Sequence, residues 1–193
     1  MSEFADIWRT FYPNAEPTGS LMRAADVHHW IRFHSLPFSK RYADTEEEYS
    51  TLLSRQNALA SAVLGNDRPC WIVQACWTTP EGFVELTDEH EMFRASLEFG
   101  LEHAFSFDVD MGDSAAHWNV MAGPVRWTQG GFDEVLLRIA DEQSAPIIWI
   151  SGESGAVFAP YDGGVDLFLT SEAKVKALRS KHADWLSSHP NGL

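Results

Sequence analysis

Apolar residues recur at helical spacing in four parts of the chain. The first is short, around Phe4, Ile7, Trp8 and Phe11, and stops at Pro13. The second follows Asp44-Thr45-Glu46-Glu47-Glu48. There Thr45 and Glu48 fit a capping box and the acidic first turn suits the helix dipole. Its stripe of Tyr49, Leu52, Leu53, Leu59, Ala60 and Val63 closes at Gly65-Asn66. The third runs from Phe132 to Glu142 with Val135, Leu136, Ile139 and Ala140 inward. The fourth follows Thr170-Ser171-Glu172 and sets Val175, Leu178, His182, Trp185 and Leu186 on one face, with Lys174, Lys176, Arg179 and Lys181 outward.

Segments of strand character lie between. Asp26 to His34 alternates, with Val27, His29, Ile31 and Phe33 opposite His28, Trp30, Arg32 and His34. Cys70 to Trp77 and Pro146 to Ile150 are compact apolar runs. Ala156 to Tyr161 and Val165 to Leu169 flank Asp162-Gly163-Gly164, a hairpin signal because such turns use positive φ. Ala116 to Met121 and Val125 to Trp127 read as two strands interrupted by Gly123-Pro124. In Phe83 to Val109, Met92, Phe93, Leu97, Leu101 and Phe105 suit a helix, with a strand from Phe105 to Val109. The pattern predicts an α+β fold, a mainly antiparallel sheet with about four helices packed on it.

Composition narrows the class. The 193 residues, 45% hydrophobic and 22% charged, suit one globular domain spanning 1–193. A chain of this length buries roughly 70% of its unfolded surface and needs no disulfide or metal staple. Cys70 and Cys76 are too few for a disulfide framework and wrongly spaced for a zinc knuckle. The opening residues lack a basic and then apolar leader, and no apolar run approaches a membrane span, so a cytoplasmic protein is expected. A net charge of −14 repels phosphate backbones and disfavours nucleic acid as a partner.

The block Trp30-Ile31-Arg32-Phe33-His34-Ser35-Leu36-Pro37-Phe38-Ser39-Lys40-Arg41-Tyr42 resembles an uncharacterised bacterial family, a domain of unknown function. Pro160 to Asp166 (Pro-Tyr-Asp-Gly-Gly-x-Asp) and Asp184 to Leu193 are similar to further blocks of that family. Phe38 departs from the acidic residue expected between Pro37 and Ser39. The resemblance implies a bacterial intracellular origin and supplies no catalytic residues.

Two regions carry candidate chemistry. Arg32, His34, Ser39, Lys40 and Arg41 concentrate cationic and polar groups in an acidic chain. Arg32 and His34 share a strand face about 7 Å apart, so with the following loop they could hold a small anion. Tyr161 and Asp166 are candidates for the same site, Asp166 because it interrupts an apolar strand. The competing reading is neutralisation by Glu46, Glu47 and Glu48 just downstream. If the Arg32–Tyr42 and Pro160–Asp166 blocks meet around a cleft, the ligand reading, as enzyme or sensor, gains.

The other region is Glu81 to Asp113, where ten acidic residues face Arg94 alone, a net of −9. Such a field can steer a basic protein partner. The leading expectation is therefore a non-enzymatic binder of immunity or adaptor type, with Glu89, Glu91, Asp108 and Asp110 as candidate contacts, and the small-anion site around Arg32 is the alternative.

Familiar catalytic and cofactor signatures are lacking. His90-Glu91-Met92-Phe93-Arg94 breaks the zinc-protease pattern, and His28 and His34 stand about 20 Å apart. Asp108 to Asp113 has its glycine at the wrong place for a calcium loop and reads as a solvated acidic loop. Gly152-Glu153-Ser154-Gly155 is not a nucleophile elbow. No metal or cofactor is therefore expected and no catalytic residue is assigned. Cys70 and Cys76 read as buried small hydrophobes, and Trp8, Trp71, Trp149 and Trp185 as volume fillers, with Trp30 the exception beside Arg32 and His34.

Overall fold

The structure, a computed structural model, describes residues 2–78, 91–110 and 115–187. Within them one antiparallel sheet is built from β1 (Trp30–His34), β2 (Arg68–Thr78), β3 (Glu102–Asp110), β4 (Ala115–Trp127), β5 (Ile147–Ile150), β6 (Val157–Tyr161) and β7 (Gly164–Phe168). The strand order is β1-β7-β6-β5-β2-β4-β3. The helices are α1 (Glu3–Phe11), α2 (Gly19–Ala24), α3 (Glu46–Leu64), α4 (Arg94–Glu98), α5 (Asp133–Ala140) and α6 (Glu172–Lys181). The α+β reading holds.

Alternation along the strands divides the core in two. On one face α3, α5 and α6 bring Leu59, Leu136 and Val175 against Ile31, Phe33, Ile72, Trp149 and Phe158. On the other, α1 and α2 bring Phe4, Trp8 and Met22 against Val73, Ile148, Val157 and Phe168. The helix starts follow their caps: Thr45 Oγ1 accepts from Glu48 N at 3.3 Å, and Ser171 Oγ from Lys174 N at 3.4 Å. The Glu48 carboxylate turns back to Asp44 N rather than to its cap residue, so the box is only half formed.

Several expectations need correction. Extended backbone begins at Trp30, not Asp26, because Asp26 (φ 51°) and His29 (φ 61°) sit in the left-handed region. Residues before them form α2, a six-residue helix too short to show a stripe, capped by Thr18 Oγ1 on Leu21 N. The β6–β7 hairpin forms as expected, but neither Asp162 nor Gly163 has positive φ. Glycine is needed at 164 for a different reason: a Cβ there would lie 2.2 Å from Phe33 O, where β1 packs against β7.

β4 is one strand, running through Gly123 and Pro124. β3 pairs no further along it than Ala122, so one side of β4 is open where Pro124 lacks its N–H. The helix predicted from Met92 to Phe105 shrinks to α4, stopped by Gly100 at φ 58°. Asp108 and Asp110 belong to β3 rather than to a loop, whereas 83–90 and 111–113 lie outside the described residues. The fourth predicted helix ends at Lys181, and Trp185 sits in a separate 3-10 turn.

Candidate functional site

The hairpin sets the register from which the site follows. With Tyr161 paired to Gly164, Ala159 stands opposite Asp166, and β1 on the other side places Arg32 opposite the same Asp166. All point to the α1–α2 face of the sheet. Asp166 is 3% exposed, and among the described residues no other carboxylate is fully buried. Its Oδ1 accepts from Trp30 Nε1 at 2.9 Å and Arg32 Nε at 2.8 Å, and its Oδ2 from Arg32 Nη2 at 2.8 Å. The arginine thus forks onto the carboxylate, the strongest ion-pair geometry available to it. Its guanidinium lies 4.6 Å from the Tyr161 ring centre.

Helix α2 closes the site from above. Gly19 permits this approach, since a Cβ there would stand 3.1 Å from Ala159 Cβ and 3.7 Å from Asp166 Oδ2. One turn later Arg23 brings Nη1 to 3.5 Å from Asp166 Oδ2, a charge contact longer than a hydrogen bond. Two guanidiniums against one carboxylate leave the cluster with a formal charge of +1.

These surroundings shift the ionisable groups. Burial pushes the Asp166 carboxyl up, partly offset by the Arg32 guanidinium and the Trp30 N–H. Burial, then the charges of Arg32 and Arg55, lower the His34 pKa against a hydrogen bond with the Gly163 backbone. Its Nε2 is buried without a protein partner. Burial raises Tyr161 to about 12.

A cleft of about 610 Å³ opens here. It runs across the end of the sheet where β1, β6 and β2 finish and β5 and β7 begin, bounded by α2 on one side and by the α5–β5 connection on the other. Arg32, His34, Ser39, Arg41, Tyr161 and Asp166 all line it, so the Arg32–Tyr42 and Pro160–Asp166 blocks converge on one cleft. Lys40 does not join them. It turns to Asp44 at 2.8 Å and Glu48 at 2.6 Å, the neutralisation weighed for this segment. Arg41, on the rim, pairs with Asp162 and, at 3.3 Å, with Glu142.

Arg23, Thr18 and Ser20 also line the cleft and were missed from sequence, because α2 left no readable pattern. A second cavity of about 430 Å³ lies between the end of α1 and the start of β1. Its ionisable groups are Asp26, His28 and Tyr12, whose hydroxyl is spent on Gly155 O at 2.5 Å.

The acidic candidates stand apart from the cleft. Asp108 and Asp110 lie on β3, at the opposite edge of the sheet from β1, and Asp108 accepts a 2.7 Å contact from His117 Nδ1. Glu89 and the side chain of Glu91 lie outside the described residues. Among the described residues no group of three His, Cys, Asp or Glu side chains could hold a metal ion. None of their helices is long and apolar enough to cross a membrane. Cys70 and Cys76 are buried, and burial raises their thiols to about 11 and about 12.

Comparison with known proteins gives one finding. The profile of a family described as a domain of unknown function, DUF3885, matches residues 18–190. No curated protein and no solved structure matches the chain.

Proposed function

We propose, for a chain that belongs to the DUF3885 family of unknown function, that it binds a small anionic ligand in the cleft over Arg32 and Asp166. The observation that carries this reading is the +1 cluster at the cleft floor, where Arg23 and Arg32 share the single buried carboxylate of Asp166. Asp166 fixes the Arg32 fork on the Tyr161 ring, a preorganised support of the kind binding sites need. Arg23, with 37% of its side chain exposed, offers donors to an incoming anion. His34, two residues from Arg32 on β1, adds a buried ring nitrogen to the cleft lining.

Arg32 is the wrong residue to remove first, because its loss strands a buried carboxylate. The test uses Arg23→Ala, with Arg126→Ala as control. Arg126 is exposed and pairs with Asp67 away from the cleft. Melting is followed in acetate, phosphate, sulfate and chloride at equal ionic strength. A stabilisation above chloride that is lost in Arg23→Ala and kept in Arg126→Ala supports the reading. No anion outdoing chloride, or an unchanged response in Arg23→Ala, refutes it.

A second reading keeps one supporting observation. β3 is an edge strand of the described sheet and carries Asp108, 68% exposed at its side chain, with Asp110 two residues on. As part of the acidic 81–113 segment it suits a non-enzymatic immunity or adaptor protein that engages a basic protein partner. Charges on an edge strand also block unwanted strand pairing, which needs no partner. Binding to a basic protein that falls with salt, and is lost on neutralising Glu89, Glu91, Asp108 and Asp110, supports docking. Salt-insensitive binding, or none, removes it.

A further inference from the structure

The cleft changes character along its length. Its charged end lies over β1 and β7, with Arg23, Arg32 and Asp166. Through β6 and β5 to β2 the sheet advances four strand spacings, about 19 Å. Over that distance the lining turns mainly apolar: Ala159 and Pro160, then Ile147, and finally Trp77, with Met92 and Ile139 alongside and Ser144 and Glu142 as the polar exceptions. Trp77 is 40% exposed, unusual for an indole that also packs edge-on to Trp118 at 5.6 Å and Phe93 at 6.2 Å. An aromatic platform at one end and an arginine pair at the other call for a ligand with two dissimilar ends.

The charges limit the anionic end. Arg23 and Arg32 with Asp166 give +1 at the floor, whereas Arg41 with Asp162 and Glu142 gives −1 at the rim. The six groups sum to zero, so a monoanion matches the floor while a dianion meets an uncompensated carboxylate at the rim. Resting on the anion reading above, we infer that the ligand is an elongated monocarboxylate. Its carboxylate sits on Arg23 and Arg32, and its apolar, aromatic-ended body runs along the ends of β6 and β5 to Trp77. Its length makes Trp77 a specificity residue remote from the charged cluster.

The test is calorimetric titration of the intact protein with acetate and with ω-phenylalkanoates of four to ten carbons. Their neutral amides and a phenylalkyl phosphate of matched length complete the set. Affinity is expected to rise roughly threefold to fourfold per methylene, as each is buried, and to level off once the ring reaches Trp77. The amides and the phosphate bind more weakly than the matched carboxylate. Trp77→Ala and Trp77→Leu remove the gain of the longest acids and leave acetate unchanged. Two variants are used so that a folding defect in one does not decide the matter. Affinity independent of chain length, or a full gain in both Trp77 variants, overturns the elongated ligand while the anion site stands. A tighter phosphate overturns the monocarboxylate, and failure of every anion to bind removes the underlying site as well.

Discussion

Removing either member of the Arg32–Asp166 pair should cost far more than removing both. Asp166 has 4% of its side chain exposed and Arg32 12%, so neither charge can recover its hydration in place. Arg32→Met deletes two of the three short donors on the carboxylate, leaving Trp30 Nε1 and the Arg23 contact at 3.5 Å. Breaking a buried pair on one side costs about 3–5 kcal/mol. Arg23 needs to close by less than 1 Å to take over, which places Arg32→Met near the lower figure, about 3 kcal/mol. Asp166→Leu leaves a guanidinium held between two aromatic rings without a counter-charge, a loss of about the same size. The double variant has no stranded charge and should lie within about 1 kcal/mol of the parent. The coupling across the cycle is then roughly 5–6 kcal/mol. Urea denaturation at pH 7 measures it, with far-UV circular dichroism and tryptophan fluorescence required to coincide before two-state values are used. Single variants costing under about 1 kcal/mol, or a double variant as unstable as the sum of its parts, would refute the reasoning.

Further outcomes follow from other parts of the fold. His182 is buried against Phe33 and stacked 4.0 Å from Trp185, with Nε2 unpartnered, while Arg55 from α3 lies over Trp185 and Lys181 and Asp184 flank it in sequence. Burial, then the Lys181 charge, lowers its pKa, as burial and Arg32 lower that of His34. The unfolded chain therefore binds more protons below about 6.5, and stability should fall as pH drops through that value. Urea midpoints from pH 7.5 to 5.5 test this, and a His182→Phe variant with undiminished pH dependence would remove His182 from the account. Gly164→Ala drives a methyl into Phe33 O and should destabilise by about 2–4 kcal/mol, against about 1 kcal/mol for Gly100→Ala, which meets only a left-handed backbone. Melting temperatures of the two variants separate them, and equal losses would contradict the packing role. Cys70 and Cys76 should resist a thiol reagent at pH 8 in the folded protein and react fully in urea. Fast labelling of native protein would show the strand to be open.

Much of the fold is legible because its helices and strands have strong local signals. Thr45 and Ser171 announce α3 and α6, and apolar runs announce β2 and β5. Where the reading failed, a local rule was overridden by a neighbour. Pro124 looks like a break until β3 is seen to stop short of it. Asp162-Gly163 promises positive φ, yet the glycine requirement falls at Gly164, imposed by the β1 backbone. His28 and His29 continue an alternating pattern in the sequence, but the left-handed backbone at Asp26 and at His29 itself keeps the segment out of the strand.

The site was half legible. Arg32 and His34 stood out as part of a cationic cluster in an acidic chain, and Asp166 because it interrupts an apolar strand. That Arg32 and Asp166 bond each other depends on a strand pairing 134 residues apart in the chain. Pairing of Lys40 with Glu48 was the competing reading, whereas the Arg41 partners Asp162 and Glu142 are distant in the chain and could not be paired from sequence. Arg23 carried no signal, and without it the cluster would be neutral rather than cationic.

An anion bound at this cluster would meet Arg23 and perturb Arg32 and Trp30 around the same carboxylate. The most direct test follows the Trp30 indole N–H and the Nε–H resonances of Arg23 and Arg32 by nitrogen-15 correlation NMR while acetate is added at constant ionic strength. All three are expected to shift together and saturate with one dissociation constant, while the Arg126 Nε–H stays still. Shifts spread over exposed arginines, or no saturating change at Trp30 and Arg32, would contradict anion binding at this cluster.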